Sequence, residues 1–152
     1  MSSSNHKPRS PEPRDSEHRD FEYRDRGRTR ARVNEWRAGP FDYQRLDAYV
    51  VAREALQLGE AISQQLPKGY GKLKDQLRRA LLSSYLNIAE ASSRTGKDRQ
   101  ARFRCSRGEA SEAAAAVEAI ALLSLAPVEQ TAALTTLLGR LCAMLTRLMQ
   151  RR

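Results

Sequence analysis

Apolar residues recur at intervals of three and four along four separate blocks of the chain, the spacing that places side chains on one face of an α-helix. The first block reads Leu46, Tyr49, Ala52, Leu56, Gly59, Ile62 and Leu66, with Asp42 as a candidate N-cap and Pro67, Gly69 and Gly71 as its stop. The second carries Leu73, Leu77, Ala80, Leu81, Ser84, Ile88 and Ala91 on one face, and Ser92 to Gly96 reads as a turn. The third, from about Asp98, aligns Phe103, Ala110, Ala113, Ala114, Val117 and Ile120 and is rich in small residues, which allow a neighbouring helix to approach closely. The fourth opens at Pro127 and aligns Leu134, Leu137, Leu138, Leu141, Met144, Leu145 and Leu148. Each stripe needs a partner face, and the connections are short. The pattern predicts an all-α, up-down antiparallel four-helix bundle over residues 41–150, with the domain boundary at Gly39-Pro40.

Residues 1–40 follow no such pattern. They hold four of the six prolines and almost no aliphatic side chains, so they cannot bury enough apolar surface to offset the entropy of ordering. A short repeat, Glu12-Pro13-Arg14-Asp15, Glu17-His18-Arg19-Asp20 and Glu22-Tyr23-Arg24-Asp25, has a period of five, which matches neither helix nor strand. Arg26, Arg28, Arg30 and Arg32 then form a purely basic run. A disordered, arginine-rich tail is expected. No apolar run of about 18 residues is evident, so no membrane partner is expected, and two widely spaced thiols, Cys105 and Cys142, without an apolar leader suggest packing cysteines in a cytoplasmic protein.

Charge sharpens the picture. Of the formal net charge of +9, most is local: Lys72 to Arg107 holds ten basic residues against Asp75, Glu90 and Asp98, a net of 10 − 3 = +7. A cluster of that kind suggests a polyanion partner. Arg78, Arg79, Arg94, Lys97, Arg99, Arg102 and Arg104 are the candidate phosphate contacts, and with few aromatic residues the expected recognition is by shape and charge. Asn87, Glu90, Arg107 and Glu112 are the candidate members of a structural polar network, with Arg79 or Arg107 as the mate of whichever of Asn87, Glu90 and Glu112 is desolvated; a ligand contact inside a groove is the alternative.

Catalytic and cofactor motifs are missing from the sequence. Both histidines, His6 and His18, lie in the tail, which removes the Glu-x-x-His steps of a di-metal bundle site and any histidine base for the serines of the helical part. There is no glycine-rich phosphate loop either. The expected protein is not an enzyme and holds no cofactor or metal.

Several of these residues also form a recognisable series: Phe41, Leu46, Tyr49 and Ala52; Tyr70-Gly71 and Leu73; Gln76-Leu77-Arg78-Arg79-Ala80; Ser83, Asn87-Ile88-Ala89-Glu90 and Arg94; Phe103; and Arg107-Gly108-Glu109-Ala110-Ser111-Glu112. In these the chain resembles the bacterial four-helix-bundle family first known from open reading frames in the intervening sequences of 23S ribosomal RNA genes, to which the accessory variability determinant of diversity-generating retroelements is related. Ala91 stands where that family usually has glycine and Glu109 where it usually has serine. The resemblance implies a ring-shaped homo-oligomer, a pentamer, with a positive surface, nucleic-acid binding in the retroelement relative, and no catalysis. Two functions are thus expected: a bundle that binds RNA or another nucleic acid, and, as the alternative, a scaffold that docks a partner enzyme such as a reverse transcriptase.

Overall fold

In the computed structural model, residues 39–150 are described, and the repeat, the basic run and the expected disorder of the tail lie outside them. A single 3-10 turn, Asp42–Arg45, leads into α1 (Asp47–Gln65), α2 (Gly71–Ser92), α3 (Gly96–Leu122) and α4 (Val128–Gln150), and no strand occurs among the described residues. The helices form the expected all-α bundle. Each packs against two neighbours in the cyclic order α1, α2, α3, α4, with the broadest contact between α2 and α3. Glu60 faces Arg78, Arg79 faces Glu112, Ser84 faces Ser106 and Ser111 faces Cys142, so neighbouring helices run antiparallel. The start of α1, the end of α2, the start of α3 and the end of α4 therefore share one end of the bundle.

Local chemistry explains the breaks. Leu66 is extended (φ −63°, ψ 132°), as the residue before Pro67 must be, and Gly69 takes φ 103°, which a side chain would disfavour. At the end of α3, the Leu125 N–H donates to the Ile120 carbonyl and the Ser124 N–H to that of Ala121, both at 3.0 Å, with Ser124 in the left-handed region at φ 53°. This is a Schellman cap, with serine in the place that glycine normally takes. The Pro127 carbonyl accepts the first helical bonds of α4, from the N–H groups of Gln130 and Thr131.

Two expectations about α1 are corrected. Asp42 is not its N-cap: it belongs to the 3-10 turn, whose first bonds are capped by Gln44 on Phe41, and Leu46, extended, separates turn from helix. Of the expected stripe, Tyr49, Ala52, Gly59 and Ile62 are buried, but Leu46, Leu56 and Leu66 are only partly covered, and the buried face extends to Ala48, Val50, Val51, Ala55 and Ser63. Small residues at Ala55 and Gly59 let α1 settle onto its neighbours, so the larger leucines are pushed to the margin of the contact.

The stripes of α2, α3 and α4 meet in one core that includes Leu77, Leu81, Ile88, Phe103, Val117, Ile120, Leu134, Leu138, Leu141 and Leu145. Its one polar seam is reciprocal. The Ser84 hydroxyl donates to the Ser106 carbonyl at 3.0 Å and the Ser106 hydroxyl to the Ser84 carbonyl at 2.9 Å, both fully enclosed. Satisfied in this way, the two serines fix the register of α2 on α3 without leaving a buried polar group unpaired. Contrary to the sequence expectation, α4 is long and apolar enough, by length and composition, to cross a membrane. In the bundle its leucines face the core, while Ala132, Ala133, Thr136, Gly139 and Ala143 face outward.

Candidate nucleic-acid interface

The seven candidate phosphate contacts divide into two groups. Arg78 and Arg79 lie near the start of α2, some 16 residues and hence roughly 24 Å along a helix from Arg94. Both are held by carboxylates. Arg78 Nε is 2.8 Å from Glu60 on α1, and Arg79 binds Glu112 and stands 3.8 Å from Glu109, both on α3. Glu112 also accepts from Gln76. These pairs are half-exposed, and such pairs contribute about 0.2–1 kcal/mol each, so their main consequence is that the two guanidiniums already have anionic partners.

The other five gather where α2 ends and α3 begins. Glu90 accepts from Arg94 at 2.9 Å and stands 3.2 Å from Arg102, so two guanidiniums share one carboxylate. Arg99 lies over the Phe103 ring with its guanidinium carbon 5.5 Å from the centroid, a cation–π contact that orients it while leaving its charge unneutralised. Lys97 and Arg104 have no carboxylate within 4 Å among the described residues. They are seven positions apart, close to two helical turns, and stand together on the exposed ridge of α3. Counting Arg94, Lys97, Arg99, Arg102 and Arg104 against Glu90 and Asp98 gives a net 5 − 2 = +3 in 15 residues. Lys97 and Arg99 also border an open cleft whose apolar walls are Leu46 and Leu148, from the start of α1 and the end of α4.

Asn87, Glu90, Arg107 and Glu112 do not form the single network expected from the sequence. The Asn87 amide turns back one turn to the Ser83 carbonyl at 2.8 Å, Glu90 serves Arg94 and Arg102, and Glu112 serves Arg79 and Gln76. Arg107 Nε donates instead to the Thr146 hydroxyl of α4 at 2.9 Å. Asn87 bonds within α2, Glu90 and Glu112 join α2 to α3 at separate points, and Arg107 joins α3 to α4. One oxygen of Glu109 is buried with no hydrogen-bond donor, and so is the hydroxyl of Ser63.

Two surface features escaped sequence reading. Leu82 and Leu86, one turn apart on the outer face of α2, are 48% and 54% exposed. Phe41, Tyr43, Tyr49 and Tyr85, from three elements, form a continuous row of rings, stacked at both ends and tilted by 56° between Tyr43 and Tyr49. Leu82 and Leu86 differ from the core leucines by phase alone, a signal present in the sequence; the row joins residues 44 positions apart and has no sequence signal.

Fold and charge together define a small all-α protein, an up-down four-helix bundle with one basic end. Residues 44–147 match the family described as 23S rRNA-intervening sequence protein, and the chain belongs to that family. No curated protein matches the chain.

Proposed function

We propose that the chain is a non-enzymatic nucleic-acid-binding protein, RNA being the favoured partner, that grips backbone phosphates with the basic end of its bundle. The observation that carries this reading is the convergence of Arg94, Lys97, Arg99, Arg102 and Arg104 at one end, in a stretch of 15 residues whose only carboxylates are Glu90 and Asp98, while Arg78 and Arg79 are paired elsewhere. Phosphate contacts by lysine and arginine release counterions, so affinity should fall linearly on logarithmic axes as salt rises, by about 0.7–0.9 in slope for each contact. The test is a salt titration of RNA and DNA binding by the wild type and by Lys97→Glu/Arg104→Glu. The double variant should bind more weakly to every sequence and reduce the slope by about 2. Undetectable binding by the wild type at low salt would overturn the proposal.

Self-association is the second part of the reading, and the α2 ridge supports it. Leu82 and Leu86 form an exposed apolar pair bordered by the Arg78–Glu60 and Arg102–Glu90 ion pairs. An apolar centre with a charge-balanced polar rim has the anatomy of a protein interface and offers little to a polyanion. Leu82→Glu/Leu86→Glu should therefore reduce the assembled mass in native mass spectrometry while far-UV circular dichroism stays helical. An assembly of unchanged mass would place the contact elsewhere. A wild type that is already monomeric would remove self-association and leave the ridge to a protein partner of another kind, as in the scaffold reading.

A further inference from the structure

Few aromatic residues occur in the chain, yet four of its nine are collected in one place. The Tyr85 and Tyr49 rings stack with centroids 4.6 Å apart, Tyr49 meets Tyr43 at 4.8 Å, and Tyr43 meets Phe41 at 5.4 Å. The inner end is firmly held: Tyr49 is buried and its hydroxyl shares a hydrogen bond with that of Tyr85. Burial, followed by that bond, raises the Tyr49 pKa above its ordinary value, as an enclosed neutral phenol requires.

The outer end is open. Phe41 is 56% exposed, and its ring lies within 7° of parallel to Tyr43. Its backbone is fixed twice, because the Phe41 N–H donates to Gln44 Oε1 at 3.0 Å and the Gln44 N–H donates to the Phe41 carbonyl at 3.1 Å. Gly39 makes room for that clasp: a Cβ there would fall 2.0 Å from Gln44 Oε1. Phe41 is thus an exposed aromatic ring, backed by a parallel ring and held by the turn before α1. Arg45, its side chain 68% exposed, follows within the same turn and has only a 3.9 Å contact to Asp42. Because α1 begins where α2 finishes, this ring lies at the same end of the bundle as the five clustered cations.

We propose that Phe41 is a stacking platform for an unpaired nucleobase, so that the nucleic acid taken by this protein is single-stranded or looped where it meets the 3-10 turn. The inference rests on the nucleic-acid reading above and adds a structural preference to it. Every base offers a π-face, which makes stacking on an aromatic side chain tolerant of sequence, whereas in a duplex those faces are covered by neighbouring bases. Cations hold the backbone of either form; the exposed ring favours the unpaired one.

The test compares the full chain with Phe41→Ala and Phe41→Leu in anisotropy titrations at fixed low salt, using a labelled 20-nucleotide single strand and the blunt duplex of the same sequence. Stacking on one base is worth about 1–3 kcal/mol, so both variants should lose roughly 5- to 150-fold in single-strand affinity, with an unchanged salt slope and less than twofold change on the duplex. Leucine keeps the apolar bulk and removes the π-face, so a role in packing alone would spare Phe41→Leu. A direct signal comes from Phe41→Trp in a Trp36→Phe background, whose single indole should be quenched by the strand and not by the duplex. Equal losses on both forms, full affinity in Phe41→Leu, or an unquenched indole would overturn the stacking proposal while leaving phosphate binding in place. Absence of binding to either form by the wild type would overturn the nucleic-acid reading itself.

Discussion

Phe103→Ala is expected to lower the unfolding free energy by about 3–5 kcal/mol, the usual cost of deleting a fully enclosed aromatic ring. Phe103 has no exposed surface and lies in the core with Ser106, Ala110 and Ala113 following it on α3. Its alanine neighbours are too short to fill the vacated volume, so little of the cavity should collapse. For a domain of this size, total stability is about 5–15 kcal/mol, and the loss should appear as a large drop in the urea midpoint at unchanged m-value. Phe103 also supports Arg99. Nucleic-acid affinity should consequently fall beyond what unfolding explains, at temperatures where the variant remains folded. A variant with near wild-type stability would contradict the packing described.

Gly59→Val carries the second large effect. A Cβ at Gly59 would lie 2.0 Å from Leu81 Cδ1 and 3.5 Å from Leu134 Cδ2, between two enclosed leucines. Replacing glycine within a helix gains a few tenths of a kcal/mol in propensity when valine is the replacement. Overpacking a dense core costs about 1–3 kcal/mol and often more for a branched side chain that cannot turn away. Packing therefore wins, and α1 should be displaced from α2. Combining Gly59→Val with Leu81→Ala relieves the clash, so the double variant should be more stable than the sum of the single effects by about 0.5–3 kcal/mol. Strict additivity in thermal or chemical unfolding would show that the two residues do not meet.

Periodicity made most of the fold readable. In α2 and α4 the apolar stripes of the sequence coincide with the buried faces, because leucines at three-and-four spacing leave one orientation that covers them. Composition misled at the start of α1, where Asp42 has the chemistry of an N-cap but Gln44 caps a separate 3-10 turn. Ser106, three residues after Phe103 and four before Ala110, lies in the phase of the α3 stripe, and it is enclosed because another helix supplies its bond to Ser84. The end of α3 lacked its customary glycine, with Ser124 in the left-handed conformation.

The charged site was legible by location and in one pairing, because Arg79 is an expected mate within the polar network and binds Glu112. Sequence identifies where cations accumulate, but neutralisation is decided across helices: Glu60 is 18 residues from Arg78, and Glu112 is 33 from Arg79. That pairing removes Arg78 and Arg79 from the free positive charge and leaves Lys97 and Arg104 as its outward ridge.

Cyclic packing has a further consequence for the route by which the chain reaches this state. Three of the four helix seams join segments adjacent in sequence, so each can form as a helical hairpin after a short loop closes. The seam between α1 and α4 is different, because its closure brings Gln65 to Gln130, where the Gln65 amide donates at 2.9 Å. The entropic cost of loop closure grows only logarithmically with length, and proteins dominated by local contacts fold fast. A single long-range closure thus separates three quickly formed hairpins from the finished ring of helices.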